Sequence, residues 1–293
     1  MSLTFESIRL EKQQEYISLL QRCTQVSSDY SFSNIFSWAE EYGLQWAWVG
    51  DLVWVKQTRP DRLYWAPQGH WESTDWQHFF KSFTPPGTVF TRVPEKLLKL
   101  WSSVAADRLI IVEERRNWDY IYNCEELVEL KGNRFHKKKN LLRQFMKKYD
   151  YRYLPFGPDL IEAAMAMQDD WCSWRDCESS SILSAENRSV HKVLAHWEDL
   201  QGLTGGVIQV DDLIVAYTVA ERLSSDTVVI HYEKGCPDYK GVYQAINQMF
   251  LSQLNGKYRW VNREQDLGEE GLRKAKLSYN PVEFLKKYRV TIQ

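Results

Sequence analysis

The chain has 293 residues, 44% hydrophobic and 26% charged, with a net charge of −2. This balance excludes a disordered chain, and the length suits two domains of ordinary size. The near-neutral charge excludes attachment to nucleic acid or membrane by overall charge, while allowing a local basic patch.

Apolar residues recur at helical spacing over 11–20 and 33–42, where Ser31 or Ser33 can cap the first free amides. Alternating runs at 44–49 and 52–56, separated by Gly50-Asp51, read as an antiparallel hairpin, with a third strand at 62–65. A helix at 74–83, a strand at 88–93, a proline-opened helix at 94–103 and a strand at 109–113 follow. After a charged connection at 114–119, two helices fall within 125–149, then a strand at 151–154 and a helix at 158–174. A serine-rich loop around Ser180 precedes a helix at 188–199 and three strands at 204–210, 213–221 and 227–233, the first two joined by Asp211-Asp212. A helix opened by Gly241 reaches 253, a short strand covers 260–261, and a last helix covers 268–276. The fold class is α/β with mixed sheets. Both halves share this rhythm without sharing residues, which predicts a duplicated domain, with 1–118 as the first copy and 119–293 as the second.

The five cysteines, Cys23, Cys124, Cys172, Cys177 and Cys236, are odd in number and scattered, as reduced thiols are. Neither they nor the six histidines have metal-ligand spacing, so no metal is expected. No run matches the ~18 apolar residues of a membrane span, and the N-terminus lacks a signal peptide's apolar stretch, so the expected location is cytoplasmic. The high aromatic content fits a core first and a ligand cleft second.

Three segments carry candidate chemistry. Residues 131–148 hold many Lys and Arg and no acid. On a helix, Phe135, Leu142, Phe145, Met146 and Tyr149 share one face, and His136, Lys137, Asn140, Arg143 and Lys147 share the other. That basic face suits phosphates of tRNA, coenzyme A or a lipid headgroup, and a solvated surface is the plain alternative. Residues 228–250 run from a strand through a Gly/Pro loop to a helix start at Gly241, the phosphate-binding layout of acetyltransferase folds, with Lys240, Val242 and Tyr243 beside it. Alternation places His231 and Glu233 on one face, Glu233 as candidate general base and His231 as helper; ion pairs with lysines are the competing reading. In residues 261–281, Asn262, Glu264 and Asp266 are candidates to orient an acceptor, Arg273 and Lys274 to hold phosphate, and Tyr279 to donate a proton. A capped helix, with Asp266 as its cap, is the structural alternative there.

The passages NREQDLGEEGLRKAKLSYNPVEFLKKY, EKGCPDYKGVYQAINQMF and SDYSFSNIFSWAEEYG resemble the bacterial family named for the C-terminal domain of phosphatidylglycerol lysyltransferase. The resemblance implies two tandem GNAT-like (acyl-CoA N-acyltransferase) domains, related to Fem-type transferases that use aminoacyl-tRNA. It implies an acyltransferase or aminoacyltransferase whose donor substrate is aminoacyl-tRNA or acyl-CoA and whose acceptor is a small molecule, a peptide or a lipid headgroup. It makes 238–243 the counterpart of the acetyltransferase pyrophosphate loop, of which only Gly241 is kept; this departure leaves aminoacyl-tRNA open as the donor. The lipid-modifying relatives carry a membrane-embedded domain absent from this sequence, so a soluble amine or peptide acceptor is expected at least equally. The alternative is a noncatalytic binding module of the same fold.

Overall fold

The computed structural model describes residues 3–82, 84–254 and 256–293. In chain order the elements are β1 (Glu6–Ser7), α1 (Gln13–Leu20), α2 (Phe32–Ser37), α3 (Ala39–Tyr42), β2 (Gln45–Val49), β3 (Leu52–Gln57), β4 (Leu63–Trp65), β5 (Gln68–Gly69), α4 (Trp76–Ser82), β6 (Val89–Pro94), α5 (Glu95–Ala105), β7 (Leu109–Glu113), β8 (Asp119–Asn123), α6 (Cys124–Glu129), α7 (His136–Lys148), β9 (Tyr151–Pro155), α8 (Ile161–Trp174), α9 (Ser181–Ala195), β10 (Leu203–Val210), β11 (Leu213–Arg222), β12 (Thr227–Gly235), α10 (Val242–Gln253), β13 (Trp260–Asn262), α11 (Glu270–Leu277), β14 (Glu283–Leu285) and β15 (Lys287–Ile292). The end of the helix expected at Phe83 lies outside the described residues. Among the described residues no helix is long and apolar enough to cross a membrane.

The chain divides into two compact units. The first holds the described residues up to Asp119 together with Glu264–Glu270 and Phe284–Gln293. Its sheet is ordered β1-β2-β3-β4-β6-β15-β7, with β5 on β3. The last strand enters between β6 and β7, so the C-terminal segment belongs to this unit although the sequence reading assigns it to the second domain. Val290 and Ile292 alternate into its core. Aromatic side chains fill that core: Trp46, Trp71 and Trp101 are fully buried, and the Trp54 and Phe79 rings stack at 4.6 Å. Helix α5 starts after Pro94, whose fixed φ suits a helix entry, and buries Leu97, Leu98, Trp101 and Ala105 along one stripe. Ser31 caps α2 by accepting the Asn34 amide at 3.3 Å.

The second unit spans Tyr120–Arg263 and Gly271–Glu283. Its sheet runs β8-β13-β12-β11-β10-β9, with β14 at the β8 edge. Strands β10 and β11 form the expected hairpin, since Asp211 and Asp212 take positive φ values of 51° and 63°, the mirror-image turn that matches strand twist. The serine-rich loop is shorter than expected, because Ser180 accepts the Leu183 amide and α9 begins there.

Strand β12 pairs in parallel with β13 only from Thr227 to Val229, yet it stays paired with β11 as far as Gly235. The last six residues of β12 therefore run on past their pairing with β13, at the carboxyl ends of two parallel strands. Open α/β sheets bind ligands outside such strand ends.

Candidate functional site

Glu233, near the end of β12, meets Arg263, the residue after β13, where those strands have parted. Arg263 Nη2 donates to Glu233 Oε1 at 2.8 Å, and Asn247 Nδ2 of α10 donates to Oε2 at 2.8 Å. Both carboxylate oxygens are therefore engaged, and the ion pair is largely buried. Tyr279 completes the cluster. Its hydroxyl accepts from Gln244 Nε2 at 3.3 Å, and the Arg263 guanidinium lies 4.7 Å from its ring centroid. The ammonium of Lys138, from α7, lies 4.0 Å from the same centroid.

These groups shift one another. Burial, with Glu233 adding to it and Arg263 opposing it, pushes the Tyr279 phenol up to about 12, so it holds its proton throughout the neutral range. Burial and the neighbouring Arg263 charge pull Lys138 down to about 8, with Glu233 resisting. Arg263 Nη1 is buried and has no hydrogen-bond partner in the structure.

The start of α10 lies near by in the chain. Gly241 has φ 89°, and a Cβ there would stand 2.3 Å from the Leu141 carbonyl oxygen of α7. The glycine thus permits both the left-handed turn and the close approach of α7. The Val242 amide donates to Tyr239 O at 3.0 Å, while the Tyr149 hydroxyl reaches Asp238 O at 3.3 Å. Beside this loop is an open hollow of about 480 Å³ lined by Gln144, Lys147, Lys148 and Lys240. Three lysines near a helix N-terminus suit an anion.

The other expectations divide. His231 does not join Glu233: the β11–β12 register shifts between Val219 and Ala220, so Ile230 and Tyr232 face consecutive residues and His231 is the extra, bulged one. Its Nε2 lies 3.1 Å from Glu221 Oε2, both side chains being buried. Glu264 and Asp266 lie in the first unit, where Glu264 accepts from Asn34 at 2.9 Å and fully buried Asp266 accepts from Arg115 at 3.1 Å and from the Gly268 amide at 2.8 Å. Asp266 thus caps its own turn, and because α11 begins only at Glu270 it is not the helix cap that the sequence offered as the structural alternative. Asn262 is fully buried at the end of β13. Arg273 and Lys274 lie on α11 and do not line the hollow beside Gly241. The hydroxyl of Tyr243 accepts from Trp171 Nε1 at 3.1 Å. Lys137, Arg143 and Lys147 are exposed on α7 as expected. Cys172 and Cys177 form a disulfide, against the expectation of reduced thiols throughout; the turn after α8, with Asp176 at φ 50°, brings their Cα atoms to 5.1 Å.

Lys138, Arg263, Gln244 and Asn247 are absent from the sequence-derived candidates, although signals exist. Lys138 sits three residues after Phe135 and four before Leu142, on the apolar face of its helix, an unusual place for a lysine. Asn247 is a polar residue within the buried stripe of α10.

Residues 21–291 match the family described as phosphatidylglycerol lysyltransferase, C-terminal. The chain belongs to that family. Among solved structures, this phosphatidylglycerol lysyltransferase C-terminal-type chain is similar to a conserved Bacteroides thetaiotaomicron protein of unknown function, at 31% identity with each chain covered completely and a TM-score of 0.90. It also resembles a C-terminal domain from Agrobacterium fabrum whose parent has a provisional lysylphosphatidylglycerol synthetase designation, at 14% identity, covering 96% of this chain and 91% of that one, with a TM-score of 0.67. FemX shares the fold at 9% identity, covering 100% and 97% of the two chains, with a TM-score of 0.61. An uncharacterised Mycoplasmoides gallisepticum protein is 24% identical over 196 residues, which span 66% of this chain and 61% of that protein. This family member is a mixed α/β protein that shares its fold with FemX and with the Agrobacterium fabrum domain.

Proposed function

We propose that the protein transfers an acyl or aminoacyl group from a phosphate-bearing donor, aminoacyl-tRNA or acyl-CoA, to an amine or hydroxyl acceptor. The carrying observation is the cluster of Glu233, Arg263, Tyr279 and Lys138 beyond the end of the β12–β13 pairing. In this reading Lys147, Lys148 and Lys240 hold donor phosphates beside α10. Glu233, already bonded to Arg263 and Asn247, fits the role of an anchor for the guanidinium better than that of a base. Tyr279 keeps its proton and receives a hydrogen bond from Gln244, which leaves its own O–H to donate. The acceptor atom bonds to the acyl carbon as the ester or thioester bond to the donor breaks. The leaving atom takes the Tyr279 proton, and the acceptor's proton returns to the phenolate. Calorimetry at low salt with acetyl-coenzyme A and with charged tRNA tests the donor half: one of them binds, and the Lys147→Ala/Lys240→Ala double variant weakens it roughly tenfold. Binding of neither donor removes the proposal.

A second reading, a binding module without turnover, is favoured by the packing of α7 against Gly241, which narrows access to the loop. It predicts salt-dependent binding of uncharged tRNA with a slope reduced by about one for each lysine lost from the hollow. Group transfer observed by mass spectrometry would exclude it.

A further inference from the structure

The charges around Tyr279 do not balance. One carboxylate, Glu233, faces two cations, Arg263 and Lys138, gathered at a single phenol ring. Asn247 and Arg263 Nη2 already use both oxygens of that carboxylate. Arg263 Nη1 meanwhile is a buried donor with no acceptor, an arrangement that is costly and uncommon among buried polar groups. Two cations close together and a spare N–H describe a place prepared for negative oxygen.

We infer that Lys138, Arg263 and Tyr279 form a subsite for an anionic oxygen group, a carboxylate or a phosphate, carried by the substrate. The inference deepens the transfer reading and rests on it only in calling the ligand a substrate. Lys138 is half-buried on a long, flexible stem, so the approach lies on its side of the cluster, and the anion would accept from its ammonium and from Arg263 Nη1 beside the Tyr279 ring. Burial first, and the Arg263 charge second, depress Lys138, and a bound anion would raise its proton affinity again. The lysine-lined hollow beside Gly241 is a separate feature, because its lining residues include none of these three.

Isothermal titration of the full chain at low salt with inorganic phosphate and with N-acetylglycine separates the sources of the anion. Preference for phosphate assigns the subsite to a phosphoryl group, and preference for N-acetylglycine assigns it to a carboxylate. Measured in the Lys147→Ala/Lys240→Ala background, which removes the phosphate-holding hollow, Lys138→Met should weaken the preferred anion about tenfold or more and Lys138→Arg should recover most of the loss. Binding at pH 8 should take up protons, seen as a dependence of the heat on buffer ionisation, and Lys138→Met should abolish that uptake. Absence of binding by either anion, or binding that survives Lys138→Met and disappears with the Lys147/Lys240 pair, overturns the inference. Circular dichroism confirms that the variants fold. The titration needs no donor, so a failed transfer assay and a failed anion subsite are distinguishable.

Discussion

Tyr279 has Lys138 and Arg263 at its ring, and Gln244, at 3.3 Å, and Arg263 at its oxygen, so removing the oxygen alone tests the hydroxyl apart from the ring. Tyr279→Phe keeps the ring contacts and should cost only about 1 kcal/mol of stability in denaturant melts. Transfer, if the phenol supplies the proton, should fall by roughly 10²–10⁴ at unchanged donor affinity. Retention of full turnover by this variant would remove Tyr279 from the chemistry. The pH dependence follows from Lys138, faced by Arg263, Glu233 and Tyr279. Its cationic form binds the anion and its free value is about 8, so affinity for N-acetylglycine, whose carboxylate stays ionised near neutrality, should be flat at neutral pH and weaken as pH rises beyond 8. Tyr279, pushed to about 12, adds no change in that window.

Among the elements, α7 and α10 depend on one glycine where they meet. Any side chain at Gly241 would keep φ at 89° and collide with backbone at Leu141, which cannot rotate away as a side chain could. Gly241→Ala should therefore destabilise the protein by about 2–4 kcal/mol, combining left-handed strain with overpacking, as read from urea unfolding. A loss under about 1 kcal/mol would show that α7 moves freely against the loop. Regular elements were legible wherever the spacing of apolar residues repeated: the β10–β11 hairpin and its Asp-Asp turn, β12, α10 and the proline-opened α5 all fall within a residue or two of expectation. The site was less legible, because it depends on where elements stop pairing. Alternation places His231 on one face with Glu233, since a bulge that depends on β11 is invisible in the β12 sequence. Residues 262–266 read as one polar cluster, yet the chain there passes between units, so Arg263 serves one and Glu264 and Asp266 serve the other. The C-terminal strand β15 alternates as a strand should, but its partners lie far away in sequence.

Across the molecule, each unit contains a buried ionic cluster near a parallel strand pair, and the clusters differ in charge balance. In the first unit Lys287 donates to Asp29 and Asp119, Arg92 donates to Asp29, and Gln265 and Ser28 bond to the same carboxylates, so two anions meet two cations. Burial alone would raise Asp29, but Lys287 and Arg92 overrule it and hold the carboxyl below its ordinary value. A lowered carboxyl contributes stability above its unfolded value that disappears as pH falls through the folded one, so this cluster should weaken in acid below about pH 4. A closed, neutral network of this kind binds the fold together and has no vacancy for a ligand. The second unit's cluster instead has an excess cation and an unused N–H. The two should respond oppositely to loss of a lysine. Lys287→Met removes the cation that two buried carboxylates share, leaving Arg92 on Asp29, and should cost about 3–5 kcal/mol. Lys138→Met removes a desolvated cation from beside Arg263 and should be neutral or slightly stabilising, consistent with a residue retained for binding and not for folding. Chemical denaturation of both variants at pH 7 decides the matter: a large loss for Lys138→Met with none for Lys287→Met would assign structure to the second cluster and leave the first as the place to look for chemistry.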